Sequence, residues 1–180
     1  ISGKTIAIKG LGKVGLELAF LIIKEGGKVI GADINSNAIK SAKKRFPNMK
    51  IVSPKEIHKQ KVDVCAPCAM GGEFNRRTVK ELRSAIICGG ANNQLASDDI
   101  GEIIHQRGIL YIPDYLANAG GLINVVGEIR KEGYSKKWVE QKVKAIKRTA
   151  KQVIGLSKKY NKPTNAMANQ LAESIFKRRN

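Results

Sequence analysis

The sequence predicts an α/β protein with a doubly wound, mostly parallel sheet followed by a helical C-terminal tail. Three observations predict it. Apolar, β-branched segments alternate with amphipathic helical ones between Thr5 and Asp114, the order that builds a parallel sheet with helices on both faces. A glycine pattern, GLGKVG (10–15), stands between the first strand and the first helix. From Ala117 the apolar periodicity is helical to the end of the 180 residues.

The elements follow in order. TIAIKG (5–10) reads as a buried parallel strand ending in glycine. KVGLELAFLIIKEGG (13–27) places Val14, Leu18, Leu21 and Ile22 on a helix and stops at a double glycine. KVIGAD (28–33) is a second strand. NSNAIKSAKKRFP (35–47) is a second helix, capped by Asn35 or Ser36 and followed by Pro47. Strands are expected at 49–53, 61–67, 85–90 and 109–114, and helices at 73–83 and 97–108. The helical tail breaks near KEGYS (131–135) and NKPTN (161–165).

GLGKVG fits Gly-x-Gly-x-x-Gly, a weak signal alone. Here it directly follows a strand and opens a helix, the context of a Rossmann-type dinucleotide turn. Gly10 permits the tight turn, Gly12 lets backbone approach a pyrophosphate, and Gly15 lets the helix pack on the strand. Leu11, Lys13 and Val14 complete the loop and the first turn, whose N–H groups favour phosphate. Asp33 lies 18 positions after Gly15 at the end of the second strand. A carboxylate there accepts ribose hydroxyls and repels a 2′-phosphate, and no Arg follows it at once. NAD is therefore expected over NADP. The alternative is a plain glycine turn with a helix-capping Asp.

Composition narrows the class. Apolar content of 42% suits a globular chain, and no apolar run reaches the ~20 residues of a membrane helix. The net charge of +18 is uneven, since residues 130–180 hold 15 Lys and Arg against 3 acids. These charges are spread over amphipathic helices with few aromatics between them. That fits a solvated face better than a nucleic-acid surface. Three cysteines, an odd number, argue for a reducing compartment and thus a cytoplasmic protein. The chain begins with Ile1 and reads as a segment cut from a longer polypeptide.

Cys65 and Cys68 have the Cys-x-x-Cys spacing of a redox dithiol or half a zinc site. Met70-Gly71-Gly72 follows where a thioredoxin-type helix should start. Further zinc ligands would have to come from Cys88, His58 and His105, which form no second pair. No metal is expected.

GLGKVG (10–15), APCAMGG (66–72), GGANNQL (89–95) and PDYLANAGGLINVVGE (113–128) resemble, in order and wording, the cofactor-binding half of the Glu/Leu/Phe/Val dehydrogenase family. The resemblance spans essentially the whole chain, and its spacing looks like the leucine, valine and phenylalanine branch. It implies NAD-dependent oxidative deamination of an L-amino acid to a 2-oxo acid and ammonia. It implies that Ala66, Pro67 and Cys68 pass the cofactor ribose, that Asn92 contacts the nicotinamide ribose, and that Asn118 bonds that ribose or the carboxamide. Two glycines inside a helical segment, Gly120 and Gly121, each cost about 1 kcal/mol against alanine, so something should approach their backbone. In the family this is the nicotinamide ring and the substrate. Leu122 and Val125 share a helix face and match positions that line the side-chain pocket in relatives. A bulky Leu122 tilts the expectation to leucine or valine. The alternative is that both are simply core.

The family's Gly-Gly-x-Lys motif, with its catalytic lysine, and the later aspartate belong to an N-terminal domain. Gly26-Gly27-Lys28 is a superficial match at a helix-to-strand turn. The sequence thus reads as one NAD-binding domain over 1–180, of which 115–180 is a helical extension, without that catalytic domain. No catalytic residue is assigned in it. The expected partners are an L-amino acid and the N-terminal domain, with a homo-oligomer for the full-length enzyme and neither nucleic acid nor membrane. Two other readings stay open: a stand-alone NAD-sensing module and, more weakly, a basic nucleic-acid-binding protein.

Overall fold

The computed structural model describes residues 1–177. Its centre is a six-stranded, all-parallel sheet in the order β3-β2-β1-β4-β5-β6. The strands are β1 (Thr5–Lys9), β2 (Lys28–Ala32), β3 (Lys50–Ile51), β4 (Val62–Pro67), β5 (Ser84–Ile87) and β6 (Leu110–Tyr111). This is the order of the two-halved dinucleotide fold. Its topological switch point lies at the carboxyl ends of β1 and β4, where crossovers leave to opposite sides. The expected mostly parallel sheet is therefore parallel throughout.

Strand alternation sorts the core onto two faces. Ile6 and Ile8 meet Ala19 and Ile22 of α1 (Lys13–Lys24) and Ala42 of α2 (Ser36–Arg45). On the other face, Ala7 and Ala32 pack on Ile57 of a short 3-10 turn, Ile57–Lys59. Beside it Cys65, Phe74 and Ile87 meet Ile100 and Ile104 of α4 (Asp99–Gln106). The α1 stripe differs from the expected one. Its buried residues are Gly15, Ala19 and Ile22, while Val14 and Leu21 are exposed. The side that presses closest on the sheet needs its smallest residues.

Asn35 caps α2, accepting from the N–H groups of Asn37 and Ala38. The helix expected at 73–83 shrinks to α3 (Thr78–Glu81). Glu73 and Phe74 are buried, and Phe74 bridges to Leu95. Asn75 and Thr78 then exchange side-chain and backbone hydrogen bonds that turn the chain before the helix can start. The strand expected at 109–114 is likewise cut short, because Asp114 already opens α5 (Asp114–Ala117). The tail continues as α6 (Ala119–Glu128), α7 (Lys136–Tyr160) and α8 (Thr164–Lys177), broken where expected. Among the described residues no helix is long and apolar enough to cross a membrane.

Candidate cofactor site at the carboxyl edge of the sheet

The glycine turn leaves β1 with Gly10 at φ 101°, a backbone state that L side chains rarely adopt. A Cβ at Gly15 would sit 1.9 Å from the Gly10 carbonyl oxygen, so the first turn of α1 lies directly on the loop. Gly12, the N-cap residue, offers no side-chain cap. The free N–H groups and positive end of a 12-residue helix thus face outward. A Cβ at Gly12 would meet nothing within 4 Å. These features fit a pyrophosphate.

Asp33, just past β2, accepts the Leu11 N–H at 2.6 Å and the Asn35 N–H at 2.8 Å. It therefore braces the glycine turn and does not cap α2. An ionised carboxylate has about four acceptor positions, so room remains for two ribose hydroxyls. Beside it lies a cavity of about 220 Å³ lined by Gly10, Asp33, Ile34, Ala69, Met70 and Glu73, among others. Larger cavities of about 520 and 440 Å³ occur, but they touch the starts of β1 and β2 or of β6. Open parallel sheets bind at the opposite, carboxyl ends of their strands, so the smaller cavity is the relevant one.

Ala66, Pro67 and Cys68 run along the switch point. The Cys68 N–H bonds the Lys9 carbonyl at 2.6 Å, and the Pro67 carbonyl accepts from Ala91 at 2.9 Å. The loop is thus stitched to both neighbouring strand ends. The cysteines are free thiols. Burial, with the Glu73 carboxylate nearby, pushes Cys65 up to about 12. Burial also raises Cys68 and Cys88, so all three are poor nucleophiles at neutral pH. Among the described residues no group of three or more potential ligands could hold a metal.

Asn92, after β5, and Asn118, between α5 and α6, meet directly: Asn118 Nδ2 donates to Asn92 Oδ1 at 2.5 Å. Next to Asn118, a Cβ on Gly120 or Gly121 would touch nothing within 4 Å. No part of the described chain explains these glycines. Leu122 is 69% exposed and Val125 52%. Neither belongs to the core; with Val126 and Ile129 they form an uncovered apolar face.

Four further residues shape the site and were not singled out from sequence. Gln94 is fully buried and donates to the Gly89 and Ala91 carbonyls at 2.9 and 3.0 Å. Its own N–H donates to buried Asp114 at 3.2 Å. Asp114 directly after Pro113 has the look of a helix start, the one local signal available. Lys9 forms an ion pair with buried Glu73. A lysine closing an otherwise apolar strand is a visible oddity, whereas nothing near Glu73 in the sequence points to it.

Residues 33–177 match the model of the Glutamate/Leucine/Phenylalanine/Valine dehydrogenase family. The chain is 41% identical over 173 residues to a leucine dehydrogenase of Bacillus cereus, covering 96% of itself and 46% of that protein. It is 39% identical over 158 residues to a phenylalanine dehydrogenase of Lysinibacillus sphaericus, covering 86% of itself and 41% of that protein. The crystal structure of L-tryptophan dehydrogenase from Nostoc punctiforme matches with a TM-score of 0.91 at 36% identity, over 96% of this chain and 51% of that one. The chain thus spans about half the length of the relatives it matches. Strand order, glycine turn and relatives at this level of identity agree: the chain belongs to the Glutamate/Leucine/Phenylalanine/Valine dehydrogenase family, within its leucine, phenylalanine and valine branch.

Proposed function

We propose that this chain is the NAD-binding half of an amino acid dehydrogenase that oxidatively deaminates an apolar L-amino acid, leucine or valine before phenylalanine, to its 2-oxo acid and ammonia. The observation that carries the reading is the convergence at the carboxyl edge of β1, β2 and β5. The uncapped glycine turn, the Asp33 brace and the Asn92–Asn118 pair all lie there. NAD supplies the hydride acceptor, and the chain's residues hold it. The first turn of α1 takes the diphosphate, Asp33 takes the adenosine ribose, and Ala66, Pro67 and Cys68 pass the second ribose with Asn92 and Asn118.

Gly120 and Gly121 leave backbone open for the nicotinamide ring. Leu122 and Val125 offer apolar surface to the substrate side chain. The named relatives are leucine, phenylalanine and L-tryptophan dehydrogenases, which agrees with an apolar pocket wall. The lysine and aspartate that move protons come from an N-terminal domain. That domain closes over the exposed face of α6 and excludes water from the cleft.

The test is a titration of the chain with NADH and with NADPH, repeated on Asp33→Ala. NADH is expected to bind tighter, and the variant to lose about tenfold for NADH, the effect of one or two hydrogen bonds to a charged group. Equal binding of both nucleotides by the unaltered chain would refute the ribose assignment. Robust leucine oxidation by the 180 residues alone would refute the division of labour.

A further inference from the structure

The cavity beside Asp33 contains a second charged feature that NAD binding as described does not use. Lys9, the last residue of β1, and Glu73 both line it. The Lys9 ammonium pairs with Glu73 Oε2, their side chains being 25% and 7% exposed. The cation therefore reaches the cavity and the carboxylate that holds it is buried.

Glu73 is itself fixed in place. The Thr78 hydroxyl donates to its carbonyl at 2.6 Å. The N–H groups on either side of it, those of Gly72 and Phe74, bond the Asn93 and Gln94 carbonyls at 2.7 and 3.0 Å. Behind it, His58 Nδ1 stands 3.7 Å from Glu73 Oε1, while His58 Nε2 bonds Glu81 at 2.7 Å. The carboxylate cannot follow Lys9 if the lysine swings away. A buried charge left without its partner is strongly disfavoured, so Lys9 is held on Glu73.

We propose that Glu73 is a specificity-determining residue of the adenosine pocket, and that its pairing with Lys9 is what denies the pocket a cation for a 2′-phosphate. This rests on the reading that Asp33 receives the adenosine ribose. With Lys9 engaged, the cavity wall carries Asp33 and Glu73 against one ammonium, an excess of one negative charge at the ribose edge. NADPH is rejected by that balance as well as by Asp33 itself. Without the Glu73 charge, Lys9 becomes a free, partly shielded ammonium on the cavity wall, placed to receive phosphate.

The experiment measures Kd for NADH and NADPH on the chain and on Glu73→Gln, Lys9→Gln and the double variant. Glu73→Gln is expected to move the NADPH-to-NADH preference about tenfold toward NADPH, the worth of one charge-assisted hydrogen bond. The gain should shrink as salt is added. Lys9→Gln, which leaves the anion, is expected to move the preference the other way. The double variant removes both charges and should return close to the parent ratio.

A purely structural pair would weaken both nucleotides alike and leave the ratio where it was. A ratio within twofold of the parent in both single variants overturns the proposal. If Glu73→Gln does not fold, Lys9→Gln decides alone, and an unmoved ratio there is equally fatal. Failure of the parent chain to bind either nucleotide is a different result. It removes the cofactor reading, and this inference with it.

Discussion

Gly120→Ala separates a glycine kept for a ligand from one kept for the fold. Gly120 lies in the first turn of α6, where an added Cβ meets no atom within 4 Å and the backbone φ is not left-handed. The folded chain therefore has no steric objection to alanine. Alanine also narrows the unfolded ensemble, so stability should rise by about 0.5 kcal/mol. For a domain of this size that is about 1–2 °C in Tm. The new methyl, however, stands over the backbone strip next to Asn118, where the nicotinamide ring is proposed to lie. A ring in contact with that strip must retreat by more than 1 Å, and losing its close contact and alignment with Asn118 should cost about tenfold in NADH affinity. Gly155→Ala is the control. It sits inside α7, more than a turn from its C-terminal end, with open space around its Cβ position, and should gain about 1 kcal/mol without touching cofactor binding. Urea unfolding and NADH fluorescence titration on both variants read the two effects independently. A Gly120→Ala chain that is more stable and binds NADH like the parent would refute the placement of the ring.

The opposite behaviour is expected of Gly15→Ala. Its Cβ would lie 1.9 Å from the Gly10 carbonyl oxygen, so α1 must move off the loop at a cost of about 1–3 kcal/mol; an unchanged urea midpoint would show that helix and turn are not in contact. The Asp63 carboxyl is held below its usual range, first by the Thr5 N–H at 2.8 Å and then by the Lys4 ammonium at 3.0 Å. A lowered folded pKa means that the unfolded chain binds more protons, so this contribution is present above about pH 4 and is lost as pH falls through the folded value. Asp63→Asn should therefore be less stable at neutral pH and show a shallower acid loss between about pH 5 and 3; parallel curves would remove the role. Finally, Cys65, Cys68 and Cys88, all raised by burial, should react with a thiol reagent at pH 8 only after denaturation, and one fast equivalent in the native chain would contradict that.

Much of the architecture was legible because it is local. The Gly10–Gly15 turn and Asp33 stand out because their spacing falls between a strand, a helix and the end of the next strand, and Asn35 caps α2 as a residue of its type should. Readings failed where a distant partner decides the outcome. EFNRRTVKELR has a helical composition, yet Phe74 is drawn into the core beside Leu95 and Asn75 turns the chain. In α1 the apolar Val14 and Leu21 suggested the buried stripe, but contact with a sheet at close range selects Gly15 and Ala19. In the site, Lys9 and Glu73 are 64 residues apart and Gln94 and Asp114 are 20 apart. No periodicity links such pairs, and the local oddity of Lys9 or of Asp114 does not name its distant partner.

The buried amide of Gln94 explains why the two site asparagines meet. The strand end at Gly89 and Ala91 presents carbonyls away from water, and the Gln94 side chain supplies both donors. A leucine of similar size would leave two buried acceptors unpaired, at about 1–3 kcal/mol each. The same residue's N–H bonds Asp114, the first residue of α5, and α5 is followed at once by Asn118, which returns to Asn92. Residues 89–94 and 114–118 therefore close a ring through backbone and side chains. The helical tail holds that ring from outside. The Tyr115 hydroxyl donates to Asn169 of α8 at 2.8 Å, and the Thr164 hydroxyl donates to the Tyr111 carbonyl. The last helix of the segment that reads in sequence as an extension is thus a brace for α5 and the end of β6. Movement in α8 would be transmitted to α5, and so toward Asn118, through the hydrogen bond between Tyr115 and Asn169.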